Sequence, residues 1–302
     1  MLAKIVNTRM SQGRKHQLVF VVVGLIPIMA YFSVFSIYPV FSAFRISLHR
    51  WGLLQRERPF IGFDNYLWAI NDPVFWASLR NTMFYVVFFV GLVLVFSLLA
   101  ALFVNSLRAP FKELMRGVIF MPVVTSLVAV SLMFVWLYQP SFGVLNFILD
   151  WFGLGPFDYL QSSTQVLPSI IAMGVWKSVG YSMVIFLAGL TTIPQDFYEA
   201  AYVDGASPLR VLFSITLPLL KPTTVFVLVT SVISSVQVFT EIYIMTRGGP
   251  GTASRTLVLH IYETGFQFFQ MGRASAVAFI MFAVILVLTL VQLRRFRIDF
   301  EY

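Results

Sequence analysis

The sequence predicts an all-α, polytopic membrane protein with six transmembrane helices. Three observations lead there. Of 302 residues, 59% are hydrophobic, and the mean hydropathy is +0.84. Only 11% are charged, against roughly 25% in soluble domains. The uncharged residues fall into long runs, and a helix needs about 20 apolar residues to span hydrocarbon. This composition excludes an ordinary soluble enzyme, a disordered chain and a coiled coil.

The runs define the elements in order. Residues 17–44, 81–107 and 117–149 carry no Asp, Glu, Lys or Arg. Neither do 159–176, 178–195, 222–240 and 274–293, the first two of these separated by Lys177 alone. The simplest parse places helices at 17–38, 81–106, 117–138, 166–190, 222–245 and 274–293. In lipid, backbone hydrogen bonds can be satisfied only within helices or closed barrels. Barrel strands are about 10 residues long and alternate in polarity, whereas these runs are longer and uniformly apolar. No small-residue cleavage site follows the first run, so it reads as a retained helix and not a signal peptide. Residues 1–302 are expected to form a single membrane domain, with a cytoplasmic tail at 1–16 and core helices within 81–293.

Lysine and arginine favour the cytoplasmic side of membrane proteins. With both termini inside (N-in, C-in), 12 of them lie on that side and 8 outside. Loop 139–165, with two Asp and no Lys or Arg, is expected outside. Loop 39–80 mixes five Arg with Trp51, Trp68 and Trp76 and is expected along the outer interface as short amphipathic pieces. The net charge of +8 then reflects contact with anionic membrane lipid, not nucleic acid. There is no cysteine, hence no disulfide, thiolate nucleophile or sulfur-bound metal. His16, His49 and His260 are too scattered to mark a metal site or a catalytic centre.

The loop at 191–221 is longer than a connector requires, and its sequence reads helix, turn, helix. Asp196 and Glu199 have capping-box spacing just after Pro194. Asp204-Gly205 supplies a stop, since glycine tolerates the left-handed conformation at a helix C-terminus. Ser207 and Pro208 restart a helix as N-cap and first residue. Leu209, Leu212, Phe213 and Thr216 would share one face, and Pro218 and Pro222 would end or kink the segment. The pattern alone allows either an ordered cover over the helix ends or a docking element.

At this loop the chain resembles a known family. Glu199-Ala200-Ala201, Asp204-Gly205-Ala206, Phe213, Ile215, Leu217-Pro218 and Pro222 match the "EAA" signature of permease subunits of binding-protein-dependent ABC importers. Phe60-Ile61-Gly62-Phe63-Asp64-Asn65-Tyr66, Leu79-Arg80-Asn81-Thr82, Phe142-Gly143-Val144-Leu145-Asn146 and Gly248-Gly249-Pro250 resemble its carbohydrate-uptake branch. Within that branch the chain is similar to the maltose-type first permease and the glycerol-phosphate permease, in the compact six-helix form. The resemblance covers residues 17–297, nearly the whole sequence.

The resemblance implies a type I ABC importer permease fold in a bacterial or archaeal cytoplasmic membrane. It implies a non-catalytic subunit that pairs with a second, related permease as a heterodimer. Two ATP-binding subunits and an extracytoplasmic solute-binding protein would complete the transporter. Glu199, Ala200, Ala201, Asp204 and Gly205 would form the coupling element that docks on the ATPase. Glu199 would either pair with a basic residue there or only cap its own helix. The implied solute is a sugar, with glycerol phosphate or another polar solute as the alternative. No cofactor is expected on this chain, ATP and Mg being used by the partner. The residues agree independently: no Gly-Lys pair occurs, so the chain has no P-loop. A secondary transporter would carry ion-coupling carboxylates within the membrane and internal repeats, and neither is evident.

Polar residues inside membrane helices usually face a cavity or a bundle interior. Lys177 lies near the middle of the fourth helix, beside Trp176, Ser178, Gly180 and Tyr181. Thr230, Ser234, Gln237 and Glu241 form one stripe on the fifth, with Ser231 and Ser235 beside it. Such a lining suits a sugar, with its hydroxyls and apolar ring faces. Ser and Thr also serve as packing between membrane helices, and Glu241 reads equally as an interfacial residue near the outer end. By resemblance, Trp176, Ser178 and Tyr181 would contact solute from the fourth helix. Ser231, Ser234, Ser235 and Val238 would do so from the fifth. Ser234, Ser235 and Val238 differ in type from the maltose permease, which leaves the solute open.

Overall fold

The computed structural model describes residues 12–295. Lys4, Arg9 and Arg297, and most of the expected 1–16 tail, lie outside that range. Helical structure runs from α1 (Gln12–Phe32) through a π-helical turn at Ser33–Ile37 into α2 (Tyr38–Ser47). A short α3 (Asp64–Asn71) precedes α4 (Pro73–Ser106), which Asp72 caps by accepting the Val74 N–H at 2.9 Å. Then come α5 (Phe111–Val124), α6 (Leu127–Leu137) and α7 (Val144–Asp150). α8 (Val166–Thr191) leads through a loop region, containing α9 (Gln195–Val203), α10 (Pro208–Val211) and α11 (Leu217–Leu219), to α12 (Lys221–Val236). α13 (Thr240–Met245), α14 (Leu257–Tyr262) and α15 (Met271–Arg295) complete the chain.

Among the described residues, four segments are long and apolar enough to cross a membrane: Val23–Ser47, Pro73–Ser106, Val166–Thr191 and Met271–Arg295. Two bent pairs bring the number to six: α5 with α6, at 94°, and Pro208–Leu219 with α12, at 65°. Six spans therefore agree with the sequence, but four of them differ in extent or continuity. The first helix extends to Ser47 and the second starts at Pro73, so the interfacial region between them shrinks to 48–72. The third is not one rod. Pro122 lacks an N–H, and the chain turns extended at Thr125 and Ser126 before restarting. The fifth stops at Val236 and restarts at Thr240, with Gln237–Phe239 between.

Bending a helix inside hydrocarbon frees carbonyls that have no water to accept from. Lys177 of α8 supplies donors, alongside the Thr125 hydroxyl, which bonds the Pro122 carbonyl at 2.6 Å. Its ammonium bonds the Pro122 carbonyl at 3.0 Å, that of Val123 at 3.5 Å and that of Thr125 at 2.7 Å. A cation at a helix C-terminus also complements the negative end of the helix dipole. Close contact makes this reach possible. A Cβ on Gly180 would collide with the Ile119 carbonyl oxygen and lie 2.9 Å from the Phe120 Cα. Small residues let membrane helices approach in this way. α8 packs along α4, α5 and α12, and its buried residues Ile170, Met173, Met183 and Phe186 anchor two apolar clusters.

At the outer end, asparagines from the quoted motifs fasten loops to helices. Asn81 of α4 donates to the Thr252 and Arg255 carbonyls at 2.7 and 3.0 Å. Thr82 accepts from the Leu257 N–H at 3.0 Å. Asn65 donates to the Ser47 and His49 carbonyls, and Asn146 to those of Pro140 and Phe157. Beneath this cover His260 lies buried, 3.6 Å from the Asp72 carboxylate and stacked on Trp68. Burial lowers its pKa below the usual 6.5, outweighing Asp72, which raises it, while Arg255 lowers it further.

Two outcomes follow from these contacts. His260 is held neutral, so the unfolded chain takes up a proton first as pH falls through about 6.5. Thermal stability of the purified complex should then decline from that pH downward, and His260→Phe should flatten the decline. Lys177→Met should strand carbonyls at the bend and lower stability by about 1–3 kcal/mol, read as a reduced unfolding temperature in detergent.

Candidate functional site

A cavity of about 440 Å³ opens where both broken spans meet α4 and α8. That volume falls in the usual range for small-molecule sites, about 300–1,000 Å³. A cleft of similar size, about 420 Å³, lies among Arg50, Trp51, Trp68 and Arg273 at the outer helix ends. Only the first cavity sits against mid-span residues, where a crossing solute must pass. Gly174, Lys177, Ser178, Tyr181 and Ser182 face it from α8 at helical spacing, and Tyr85 and Phe89 close it from α4. Val123 and Leu127 flank the α5–α6 bend. The other wall is Thr230, Ser231, Ser234 and Ser235 of α12 with the irregular segment after it.

The structure brings most of the sequence-derived candidates together here. Lys177, Ser178, Tyr181, Ser231, Ser234, Ser235, Gln237, Val238 and Glu241 all line the cavity. Tyr181, Ser234 and Gln237 are exposed in it, while Ser231, Ser235 and Val238 are buried in its wall. Trp176 departs: it turns away, packing on Phe134 with ring centroids 5.5 Å apart, and is absent from the lining. Glu241 also departs from the interfacial alternative. The break after Val236 puts it in the first turn of α13, partly buried, with the Tyr85 hydroxyl donating to Oε1 at 3.3 Å. Tyr85, Phe89 and Thr240 are lining residues that sequence reasoning missed. Tyr85 stood in a run without charge, and its polar neighbours Asn81 and Thr82 read as part of a motif at the helix end.

Three hydroxyls of the fifth span that line the cavity are satisfied by their own helix. Thr230 donates to Phe226 at 2.8 Å, Ser234 to Ser231 at 3.0 Å and Ser235 to Val232 at 3.0 Å. Back-bonding of this kind is ordinary for Ser and Thr. These protons therefore do not bridge helices, and the oxygens keep acceptor capacity toward the cavity.

The loop at 191–221 forms a second candidate surface. α9 ends in a Schellman motif: the Ala206 N–H bonds the Ala201 carbonyl at 2.9 Å and the Gly205 N–H that of Tyr202 at 3.1 Å. Gly205 has φ of +72°, which a Cβ would strain. Ala201 and Tyr198 turn inward, the latter packing beside Leu190, Ile193 and Leu220. Glu199, Ala200, Asp204 and Gly205 turn outward. The capping box does not form: Pro194 is the N-cap, and no side chain caps the helix. Glu199 is thus not engaged in capping its own helix. Ser207 does cap α10, accepting the Arg210 N–H at 3.4 Å. The shared face expected for Leu209, Leu212, Phe213 and Thr216 is broken, because a π-helical turn at Leu212–Thr216 shifts the register. Thr216 is buried while Leu209 and Phe213 stay exposed.

Comparison with known proteins agrees with this arrangement. Residues 93–295 match the family described as binding-protein-dependent transport system inner membrane component. The chain is 34% identical to the trehalose/maltose transport system permease protein MalF of Thermococcus litoralis, over 91% of this chain and 93% of that one. It is 33% identical to the arabinooligosaccharides transport system permease protein AraP of Bacillus subtilis, over 89% and 85% respectively. A bacterial alginate ABC transporter, crystallised with an alginate pentasaccharide-bound periplasmic protein, superposes with TM-score 0.82 at 25% identity, covering 96% of this chain and 98% of that one. This multi-pass, all-α chain therefore belongs to the inner membrane component family of binding-protein-dependent transport systems, as a permease subunit of an ABC importer.

Proposed function

We propose that this permease imports a saccharide across a bacterial or archaeal cytoplasmic membrane, both termini lying inside. The cavity at the two broken spans carries that reading: it holds aromatic rings, hydroxyls and an amide in a volume suited to a sugar. The relatives' named solutes, trehalose, maltose and arabinooligosaccharides, support the same class. A second, related permease completes the pathway. An external solute-binding protein delivers to the outer face, as the neighbour crystallised with its periplasmic protein supports.

ATP and Mg act on two partner ATPase subunits, and their force enters through α9. The outward side of that helix and its loop is apolar beside Glu199: Val203 is 87% exposed, Tyr202 59% and Leu209 68%. Exposed apolar patches of this kind mark contact surfaces. ATP binding and the loaded solute-binding protein favour the outward-facing state, each by its differential affinity for it. Hydrolysis restores the inward-facing state.

Uptake of a panel of labelled sugars by the complete transporter in proteoliposomes tests this reading. Transport of no saccharide in the panel would refute it. Gly205→Pro and Glu199→Lys should abolish ATP-driven uptake without removing the chain from the membrane. Tyr181→Ala or Gln237→Ala should reduce uptake about tenfold, the loss expected for one or two hydrogen bonds, with assembly intact by size-exclusion chromatography.

A further inference from the structure

We infer that Glu241 makes the pathway selective for uncharged, hydroxyl-rich solutes and against anionic ones. The inference deepens the saccharide reading above and rests on it. Two side chains in the cavity lining carry charge, Lys177 and Glu241. Their availability to a solute differs.

An ammonium has three N–H donors and no acceptor. Those of Lys177 are taken by the carbonyls of Pro122, Val123 and Thr125, at 3.0, 3.5 and 2.7 Å. Its positive charge is spread against the carbonyl end of α5. An entering carboxylate, sulfonate or phosphate finds no free donor there, and withdrawing the one on Thr125 would strand that carbonyl in the span.

Glu241 is the opposite case. A carboxylate has about four acceptor positions. The Tyr85 hydroxyl takes one, at a long 3.3 Å, and the residue's own backbone N–H another. The remaining capacity faces a cavity whose neighbouring hydroxyls, on Thr230, Ser234 and Ser235, donate back into α12. These three hydroxyls and the carboxylate therefore offer acceptors to a sugar, which brings hydroxyl donors. An anion meets like charge in a partly desolvated space, where such repulsion is strong. A cation would still face the Lys177 charge across the same cavity, which leaves the uncharged polyol as the favoured occupant.

Binding to the permease itself tests this without the filter of the solute-binding protein. The complex with its partner permease and ATPase subunits is placed in nanodiscs, receptor omitted. Saturation-transfer difference NMR is recorded with glucose, trehalose and maltotriose, and with glucuronate and digalacturonate. The wild type should hold at least one neutral sugar about tenfold more tightly than its acidic counterpart. Glu241→Gln should erase that discrimination, and Glu241→Asp should retain it. A wild type that binds the acid as well as the neutral sugar overturns the inference, as does discrimination that survives Glu241→Gln. In either case the saccharide reading stands. Absence of any saccharide signal in the wild type would instead remove that reading, and the selectivity with it.

Discussion

The architecture depends on one satisfied backbone. A span that bends by 94° in hydrocarbon must give its freed carbonyls a donor. In this chain an amine on the neighbouring span reaches three carbonyls across the bend, and the Thr125 hydroxyl shares one of them, that of Pro122, at 2.6 Å. Were α5 and α6 one straight helix, Val123 and Leu127 would not flank an opening. The fifth span solves the same problem locally, by tightened turns: the Gln237 N–H bonds the Ser234 carbonyl at 3.2 Å, and the Val238 N–H that of Ser235 at 3.4 Å. Irregular backbone at membrane depth is tolerated where it lines a cavity, and both breaks do so.

The same packing ties the cavity to the loop. α8 presents cavity residues between Gly174 and Ser182 and ends at Thr191, a few residues before α9. Tyr198 of α9 packs into the cluster that holds Phe186, Leu187, Leu190 and Leu220. α12 joins that cluster through Val227, just below its own cavity residues. A displacement of α9 therefore reaches both cavity walls through close-packed side chains. Packed cores transmit strain because they have few voids to absorb it.

Composition and run length made the six spans legible, because hydrocarbon thickness leaves little freedom in helix number. The bends were not legible. Pro122 hinted at the first, but a proline in a membrane helix kinks as readily as it breaks. No proline, glycine or charge marks Gln237–Phe239, so the second break was invisible and the place of Glu241 in the first turn of a new helix was not foreseen. Periodicity failed likewise at Leu212–Thr216, where one inserted π-turn moves every later residue around the helix. The Asp204-Gly205 stop was legible since it rests on a conformation open chiefly to glycine. The Asp196–Glu199 spacing misled because Pro194 had already taken the N-cap position.

Lys177 shows why an ionisable residue within a span needs its hydrogen bonds assigned before its role. By sequence it was a mid-span candidate for the solute pathway. It does line the cavity. Yet the geometry uses its donors on the protein's own backbone, and a charge with no donor to offer is a weak ligand for an anion. The recognition capacity passes to Glu241, which the sequence left open between the pathway stripe and the interface. Solute charge is thus governed by how the fold supports its bend as well as by which residues surround the space. A relative that satisfied the bend by another means would free its lysine and invert the preference, with an otherwise unchanged lining.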